Sequence, residues 1–217
     1  MIYILNENKS ILNQFLAEIR DEIIQKDKIR FRRNLERIGE AIAYEISKKL
    51  NYSMSLIQTS LGTSNTPVLN DKLVLGTILR AGLPFHQGLL NVFDGAENAF
   101  ISAYRKYNKD GSFDIEVEYV SSPRLENKTL ILVDPMLATG LSMELAYKSL
   151  LEKGTPSHTH IVSIVASREG VEYLNKHLHM ENISLWVVAI DDELTAKSYI
   201  VPGLGDAGDL AYGSKEN

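Results

Sequence analysis

The sequence predicts an α/β fold with a mainly parallel, twisted sheet flanked by helices. Two stretches carry this prediction, residues 73–93 and 129–153. In each, a run of aliphatic residues typical of a buried strand passes through a short glycine-containing turn into a helical pattern. A charged residue also stands where each strand ends, Arg80 in the first stretch and Asp134 in the second. Ligands of open parallel sheets bind at this end of the strands.

The remaining elements follow from the spacing of apolar residues. Apolar runs and period-two alternation predict strands, whereas apolar residues three or four apart predict helices. In chain order these elements are a strand at 2–5, helices at 11–19 and 31–50, strands at 55–61, 100–104 and 115–119, a strand at 160–166, a helix at 168–178 and a strand at 183–190. The segment after residue 61, which contains Asn65 and Pro67, is predicted to be a loop. The polar stretch 106–112 joins its two neighbouring strands into a β-hairpin arm.

Composition limits the class of protein. With 217 residues the chain is expected to form one domain, residues 1–217, whose core needs no disulfides. It has no cysteine, which excludes disulfides, thiolate metal sites and cysteine nucleophiles. The net charge of −5 disfavours a nucleic acid as partner. No apolar run approaches the roughly 20 residues of a membrane helix, and the N-terminus does not resemble a signal peptide. We therefore expect a cytoplasmic protein with no membrane partner.

The stretch from Thr129 to Ser142, TLILVDPMLATGLS, gathers polar groups at a strand end and predicts a phosphate cradle. Gly140 lets backbone amides turn inward, Thr139 and Ser142 add hydroxyl donors, and the helix that follows adds partial positive charge. A carboxylate such as Asp134 repels phosphate, so its natural partners are neutral hydroxyls or a magnesium ion. A site of this kind suits a phosphorylated sugar whose hydroxyls need an acceptor.

Motifs along nearly the whole chain resemble those of the uracil phosphoribosyltransferase family, in the family's order. The string DPMLATG at 134–140 is similar to the family's loop for phosphoribosyl diphosphate (PRPP), and ILRAGL at 78–83 to its pyrophosphate loop. Tyr104-Arg105 looks like the base of its arm, KDKIRFRRNLERIG at 26–39 like its N-terminal helix, and YIVPGLGDAGD at 199–209 like its uracil-binding hood. The resemblance implies a type I phosphoribosyltransferase fold with a hairpin arm and a C-terminal hood at about residues 183–217.

The hood segment, residues 198–209, is predicted to be an apolar loop that folds over the site. Three glycines and a proline in twelve residues exclude a helix interior or a central strand. Its accessible backbone groups suit a small planar base with a fixed edge of donors and acceptors. Uracil presents O4, N3–H and O2, whereas cytosine lacks the N3–H and leaves a carbonyl unpaired, at a cost of about 1–3 kcal/mol.

The resemblance also implies which residues form the site. PRPP is expected to contact Arg80, Arg105, Asp134, Pro135, Met136, Leu137, Ala138, Thr139, Gly140, Leu141, Ser142 and Asp206, and uracil to contact Ile200, Gly205, Asp206 and Ala207. Arg105 is expected to stabilise the departing pyrophosphate, and Asp206 is the nearest candidate for a base at uracil N1. Mg²⁺ is the expected cofactor, carried by PRPP with no direct protein ligand. The pyrophosphate loop is expected to contain a non-proline cis peptide bond.

The implied reaction transfers the phosphoribosyl group from PRPP to uracil, giving UMP and pyrophosphate, in a homodimer or larger homo-oligomer. Two alternatives stay open. One is a nucleotide-sensing regulator on the same fold that binds RNA or a partner protein, and the other is the same enzyme acting on xanthine or hypoxanthine. The chain departs from the family at Leu141, where a second glycine is common, and at Leu210, where a basic residue is common.

Three clusters of polar residues have two interpretations each. Lys26, Lys28, Arg30, Arg32 and Arg33 form either a phosphate or effector site or a solvated helix face. Asp191, Asp192 and Glu193 form either a magnesium site or, as we prefer, a solvent loop. His158, His160, His177 and His179 suggest a metal site, but the spacing of the last two favours solvated or capping roles.

Overall fold

The computed structural model describes residues 1–107 and 113–214, with the side chains of 104–107 and 113–116 left undescribed. Most of the predicted turn at 106–112 therefore lies outside the described residues. The helices are α1 (Ile11–Arg20), α2 (Lys28–Ser47), α3 (Gly82–Val92), α4 (Leu141–Leu151), α5 (Arg168–His177) and α6 (Ala207–Tyr212). The strands are β1 (Ile2–Ile4), β2 (Tyr52–Gln58), β3 (Thr63–Leu69), β4 (Leu73–Leu79), β5 (Glu97–Tyr107), β6 (Phe113–Ser121), β7 (Thr129–Val133), β8 (Met136–Leu137), β9 (His158–Ser167), β10 (Ile183–Asp191), β11 (Glu193–Leu194) and β12 (Ile200–Val201).

The predicted α/β class with a mainly parallel sheet is confirmed. Within the described ranges the main sheet has the order β1-β10-β9-β7-β4-β5-β6, and β8 pairs with β9 beyond the end of β7. Its pairs are parallel except for β5 with β6, which form the predicted hairpin arm. Because parallel strands end at the same edge, the C-terminal ends of β4, β7 and β9 lie side by side, where ligands of such sheets bind.

Both faces of the sheet are buried, which explains the unbroken aliphatic runs of its central strands. In β7, Leu130 and Leu132 pack into a core cluster that includes α4 and α5, whereas Ile131 and Val133 pack into one that includes α1, α2 and α3. Successive side chains point to opposite faces, so each strand serves both clusters. Burial of one such side chain contributes roughly 1.5–3 kcal/mol.

The central strand is interrupted at the predicted ligand loop. β7 ends at Val133 and the chain rejoins the sheet as β8, and both segments pair with β9. Between them Pro135 cannot donate a ladder hydrogen bond. Its carbonyl instead accepts from the backbone amides of Ile164 and Val165, at 3.1 and 3.0 Å. The interruption leaves Asp134 at the ligand edge while β9 holds the backbone on either side.

The loop predicted around Asn65 and Pro67 is wrong, because residues 63–69 form β3. This strand pairs antiparallel with β2 in a separate two-stranded ribbon. Both strands of such a ribbon are edges, and an edge tolerates the missing N–H of proline. The flanking polar and apolar residues therefore form a strand despite the proline.

The prediction of a continuous loop over residues 198–209 is wrong at both ends. β12 pairs with β11, and α6 begins at Ala207 with Asp206 as its N-cap. Gly208 lies in the first turn of this six-residue helix. Residues 183–191 form β10 within the main sheet, so the segment that covers the ligand edge begins after it. Throughout the described ranges, every helix is too short or too polar to cross a membrane.

Candidate active site

A cavity of about 460 Å³ lies at the C-terminal edge of the central strands. Three segments distant in sequence form most of its walls: the turn after β4, the loop between β7 and α4, and residues 198–209 of the C-terminal segment. The two strand-turn-helix stretches and the hood segment identified from the sequence therefore converge on one cavity.

The loop before α4 has the backbone geometry of an anion cradle. Gly140 is left-handed with φ of 85°, a conformation that glycine adopts without strain. α4 begins at the next residue, so its first amides have no partner within the helix and its dipole favours negative charge. The half-buried side chains of Thr139 and Ser142 line the cavity beside these amides. This donor set suits a phosphate group.

The start of α5 holds this loop in place. The Ser167 hydroxyl donates to the Ala138 carbonyl at 2.5 Å and accepts from the Gly170 amide at 2.8 Å. A Cβ atom on Gly170 would overlap the same Ala138 carbonyl, so the close approach of loop and helix requires a glycine. The ring of Tyr173 packs against Gly140. The cradle is thus supported by α5 as well as by its own strand.

Asp134 carries the unusual electrostatics of the site. Its carboxyl group is half-buried in the cavity wall and accepts one long backbone hydrogen bond, from the Met136 amide at 3.4 Å. Burial raises the pKa of Asp134 to about 7, and the Met136 hydrogen bond offsets only part of this effect. A carboxylate so poorly stabilised in the free protein suits a ligand that brings hydroxyl donors or a cation.

Arg80 reaches from the end of β4 to the C-terminal segment. Its guanidinium donates to the Asp209 carboxylate at 3.0 Å and to the Gly213 carbonyl at 3.3 Å. The Leu79–Arg80 peptide bond is cis, as the resemblance implies. Both members of the ion pair are exposed, so the pair contributes little stability. A diphosphate in the cavity would compete with Asp209 for the same planar donor.

The covering segment presents backbone and apolar surface to the cavity. Ile200 and Ala207 are buried, and Gly205 between them is left-handed with φ of 95°. One oxygen of Asp206 accepts from the Asp209 amide at 3.0 Å and so caps α6. The Val201–Pro202 peptide bond is cis. The segment is therefore a short ribbon, a tight turn and a capped helix.

The structure gathers most of the predicted site residues. Those that line the cavity are Arg80, Asp134, Met136, Leu137, Ala138, Thr139, Gly140, Ser142, Ile200, Gly205, Asp206 and Ala207. Pro135 and Leu141 do not line it, since the first is bonded to β9 through its carbonyl and the second begins α4. Arg105 lies in β5 opposite Ile115, and its side chain lies outside the described part of the structure.

Sequence reasoning did not single out several residues of the wall. Ser102 and Ala103 of β5, Ser198 and Tyr199 of the covering segment, and Asp209 of α6 also line the cavity. The two β5 residues reach the site only because β5 pairs with β4, and no local motif marks them. Asp209 belongs to the hood motif, but its ion pair with Arg80 is not evident from the sequence because the two residues meet only in the folded chain.

The basic cluster has partners within the molecule. Arg30 forms a bidentate ion pair with Glu18, Arg33 pairs with Glu36, and Arg32 donates to the Ala211 carbonyl at 2.6 Å. Lys26 and Lys28 border a second, shallower depression beside Asp206, Asp209 and Leu210. The solvated-face interpretation is therefore wrong for Arg32, which ties α2 to the end of α6.

The acidic turn is structural only at Asp191, and His177 and His179 are exposed, as the solvated interpretation predicts. The preferred solvent-loop interpretation is wrong for Asp191, which is buried against Arg20, whereas Asp192 is exposed and pairs with Arg168. His158 bonds Ser184, His160 accepts from the indole of Trp186, and His177 bonds the Tyr173 carbonyl near the end of α5. Among the described residues, no three His, Asp or Glu side chains converge on a possible metal position.

Comparison with known proteins agrees with this geometry. A family model described as uracil phosphoribosyltransferase matches residues 6–214. A uracil phosphoribosyltransferase of Porphyromonas gingivalis is 57% identical over 97% of each chain, and one of Pyrococcus furiosus is 35% identical over 95% of this chain and 88% of its own. A solved structure of a protein from Aquifex aeolicus superposes with a TM-score of 0.86 at 29% identity, covering 98% of each chain. The chain belongs to the uracil phosphoribosyltransferase family.

Proposed function

We propose that the protein transfers the 5-phosphoribosyl group of PRPP to N1 of uracil, giving UMP and pyrophosphate. One observation carries this proposal. A loop with the donors of a phosphate site, an arginine in an exposed ion pair and an apolar covering segment meet in a single cavity. A phosphorylated sugar that carries a diphosphate at one end and accepts a planar base needs these three surfaces together.

The cradle at residues 138–142 is proposed to hold the 5′-phosphate. The backbone of this loop is held by the start of α5 through the Ala138 carbonyl before the ligand arrives, so little ordering is needed on binding. Asp134 then faces the ribose, where a hydroxyl can donate to its carboxylate. A hydroxyl donor also stabilises the ionised form that burial disfavours in the free protein.

In the proposed reaction the bond from ribose C1 to the diphosphate oxygen breaks while a bond from uracil N1 to C1 forms. The electron pair of the broken bond leaves with pyrophosphate, and the C1 centre passes through a state with oxocarbenium character. Arg80 and Arg105 are proposed to stabilise the charge on the leaving group. The N1 proton is proposed to pass to Asp206, of which one carboxylate oxygen is already engaged in capping α6.

Mg²⁺ is the proposed cofactor, and it is expected to arrive with PRPP. The described side chains offer no cage of three acidic or histidine ligands. Three carboxylates line the cavity, and one of them, Asp209, is paired with Arg80, which leaves Asp134 and Asp206. That donor set fits Mg²⁺, which commonly binds substrate phosphates, water and one or two carboxylates. When bound, the ion neutralises part of the charge on the pyrophosphate.

Uracil is proposed to lie under residues 200–207. Ile200 and Ala207 supply apolar contact, and the backbone around Gly205 supplies fixed donors and acceptors for the base edge. Cytosine would leave one of these groups without a partner in a buried site. Purine bases are larger and would need a differently shaped cover.

We also propose that the protein forms a homodimer or a larger homo-oligomer through the β2–β3 ribbon. Residues 51–70 contain no charged residue. Several of the ribbon's large apolar side chains face solvent, including Leu56 at 77% and Leu61 at 99% exposure. An uncharged ribbon with several exposed apolar side chains is typical of a surface covered by another chain.

The test is incubation of the purified protein with PRPP, Mg²⁺ and radiolabelled uracil, with cytosine, hypoxanthine and xanthine in parallel reactions. We expect UMP from uracil and no nucleotide from the other bases. No product from any base, in folded protein that still binds PRPP, would contradict the proposal and favour the nucleotide-sensing regulator. Product from a purine would instead identify a different base specificity.

A further inference from the structure

A buried ion pair from outside the covering segment holds the turn at Gly203. Asp191 ends β10 and is 8% exposed, and Arg20 ends α1 and is 21% exposed. Two guanidinium nitrogens donate to the two carboxylate oxygens, each at 2.8 Å. Arginine supplies this planar, bidentate geometry and lysine does not.

The same pair binds both backbone polar groups of Gly203. The Gly203 amide donates to the Asp191 carboxylate at 2.8 Å, and Arg20 donates to the Gly203 carbonyl at 3.0 Å. Gly203 is left-handed with φ of 54°, and a Cβ atom there would overlap the Ile200 carbonyl. Arg20, Asp191 and Gly203, here called the clamp, therefore fix the turn in one conformation.

The fixed turn lies between two residues of the cavity wall. Ile200 precedes it and Gly205 follows it, and both line the cavity, whereas Arg20 and Asp191 do not. A backbone that reads the edge of a base must be held to within about 0.5 Å by groups that are themselves locked. The clamp meets this condition because both Asp191 carboxylate oxygens and both Gly203 backbone groups have partners inside it.

We propose that Arg20 and Asp191 are positioning residues of the base pocket: without touching the substrate, they fix residues 200–205 in the geometry that recognises uracil. The inference rests on the proposed function. Arg20, at the end of α1, would then support base recognition without contributing to the loop that is proposed to bind PRPP.

The experiment compares steady-state kinetics of Arg20→Lys, Asp191→Asn and the wild type. Lysine keeps the charge of Arg20 but cannot serve both carboxylate oxygens and the Gly203 carbonyl together. A displaced turn should raise the KM for uracil about tenfold or more, with the KM for PRPP changed by less than about twofold. Asp192→Asn is the matched control, because this neighbouring residue and its partner Arg168 are exposed at 74% and 64%. It should leave both KM values unchanged.

A rise in the KM for uracil without a rise in the KM for PRPP supports the inference. An unchanged KM for uracil, or equal rises for both substrates in folded variants, would overturn it. Should both variants fail to fold, amide exchange in the wild type decides: slow exchange at Gly203 supports the clamp, and exchange at the rate of an open loop contradicts it. Absence of UMP from the wild type removes the proposed function and this inference together. If the wild type forms UMP but the variants show no selective rise in the KM for uracil, the proposed function stands and only the role of the clamp is contradicted.

Discussion

At the scale of single residues, the position of Asp134 at the cavity conflicts with the ionisation of its carboxyl group in the free protein. Its proposed contact with a ribose requires a position at the strand end, and that position half-buries its carboxyl group. Burial raises the pKa of Asp134 to about 7, against about 4 for an exposed aspartate. The native state therefore keeps a proton that the unfolded chain releases between about pH 4 and pH 7. Stability falls across that window as pH rises, and it stays at the lower level above pH 7.

Replacement of this carboxyl by a neutral amide should remove that pH dependence. We expect Asp134→Asn to be more stable than the wild type at pH 8, by up to about 4 kcal/mol, since the pKa rises from about 4 to about 7 and each unit corresponds to about 1.4 kcal/mol. The difference should shrink toward zero near pH 3, where Asp134 is mostly protonated in both states. Urea unfolding of both proteins between pH 3 and pH 8 measures this difference. If the free energies of unfolding of the two proteins differ by the same amount at every pH, the carboxyl group ionises with an ordinary pKa.

At the scale of elements, the loop at 134–142, which is proposed to bind PRPP, depends on its contact with α5. Gly170 is the point of closest approach, since any side chain there meets a backbone carbonyl that cannot move alone. Gly170→Ala should destabilise the protein by about 1–3 kcal/mol and weaken PRPP binding by displacing Ala138. Gly95→Ala is the matched control, because a Cβ at Gly95 meets nothing within 4 Å. Chemical unfolding and PRPP titration of both variants test the contact. Equal stability and equal PRPP affinity of the two variants would show that the contact at Gly170 does not support the loop.

The elements show where sequence reasoning succeeds and where it fails. Strands β4, β7, β9 and β10 were predictable because burial on both faces leaves a continuous aliphatic signal. β3 was missed because Pro67 signals a loop, and only its pairing with β2 at a double edge makes a strand possible. α6 was missed because six residues with a glycine in the first turn carry almost no helical signal. Its N-cap Asp206 and its contacts with α2 and Arg80 stabilise it instead.

At the scale of the whole molecule, the site is assembled by the order of strands. Sequence motifs predicted three segments that line the cavity, the loop at 134–142, the turn at Arg80 and the covering segment, because each motif lies within a few consecutive residues. They could not locate the Arg20–Asp191 pair, whose members are 171 residues apart and become neighbours only when α1 packs beside the end of β10. Ser102 and Ala103 reach the cavity in the same way, through the pairing of β5 with β4.

The proposed homo-oligomer can be tested at the β2–β3 ribbon. If another copy covers the ribbon, a charge buried at its apolar surface should weaken association, because an unpaired charge is costly to desolvate. We expect the wild type to be dimeric or larger and Leu56→Glu to shift toward monomer in light scattering coupled to size exclusion. Ile23→Glu is the matched control, since Ile23 is 73% exposed but lies outside the ribbon, before α2. A monomeric wild type, or an equal shift in both variants, would rule out the ribbon as the contact. The ribbon's exposed leucines would then be surface that the monomer tolerates without a partner.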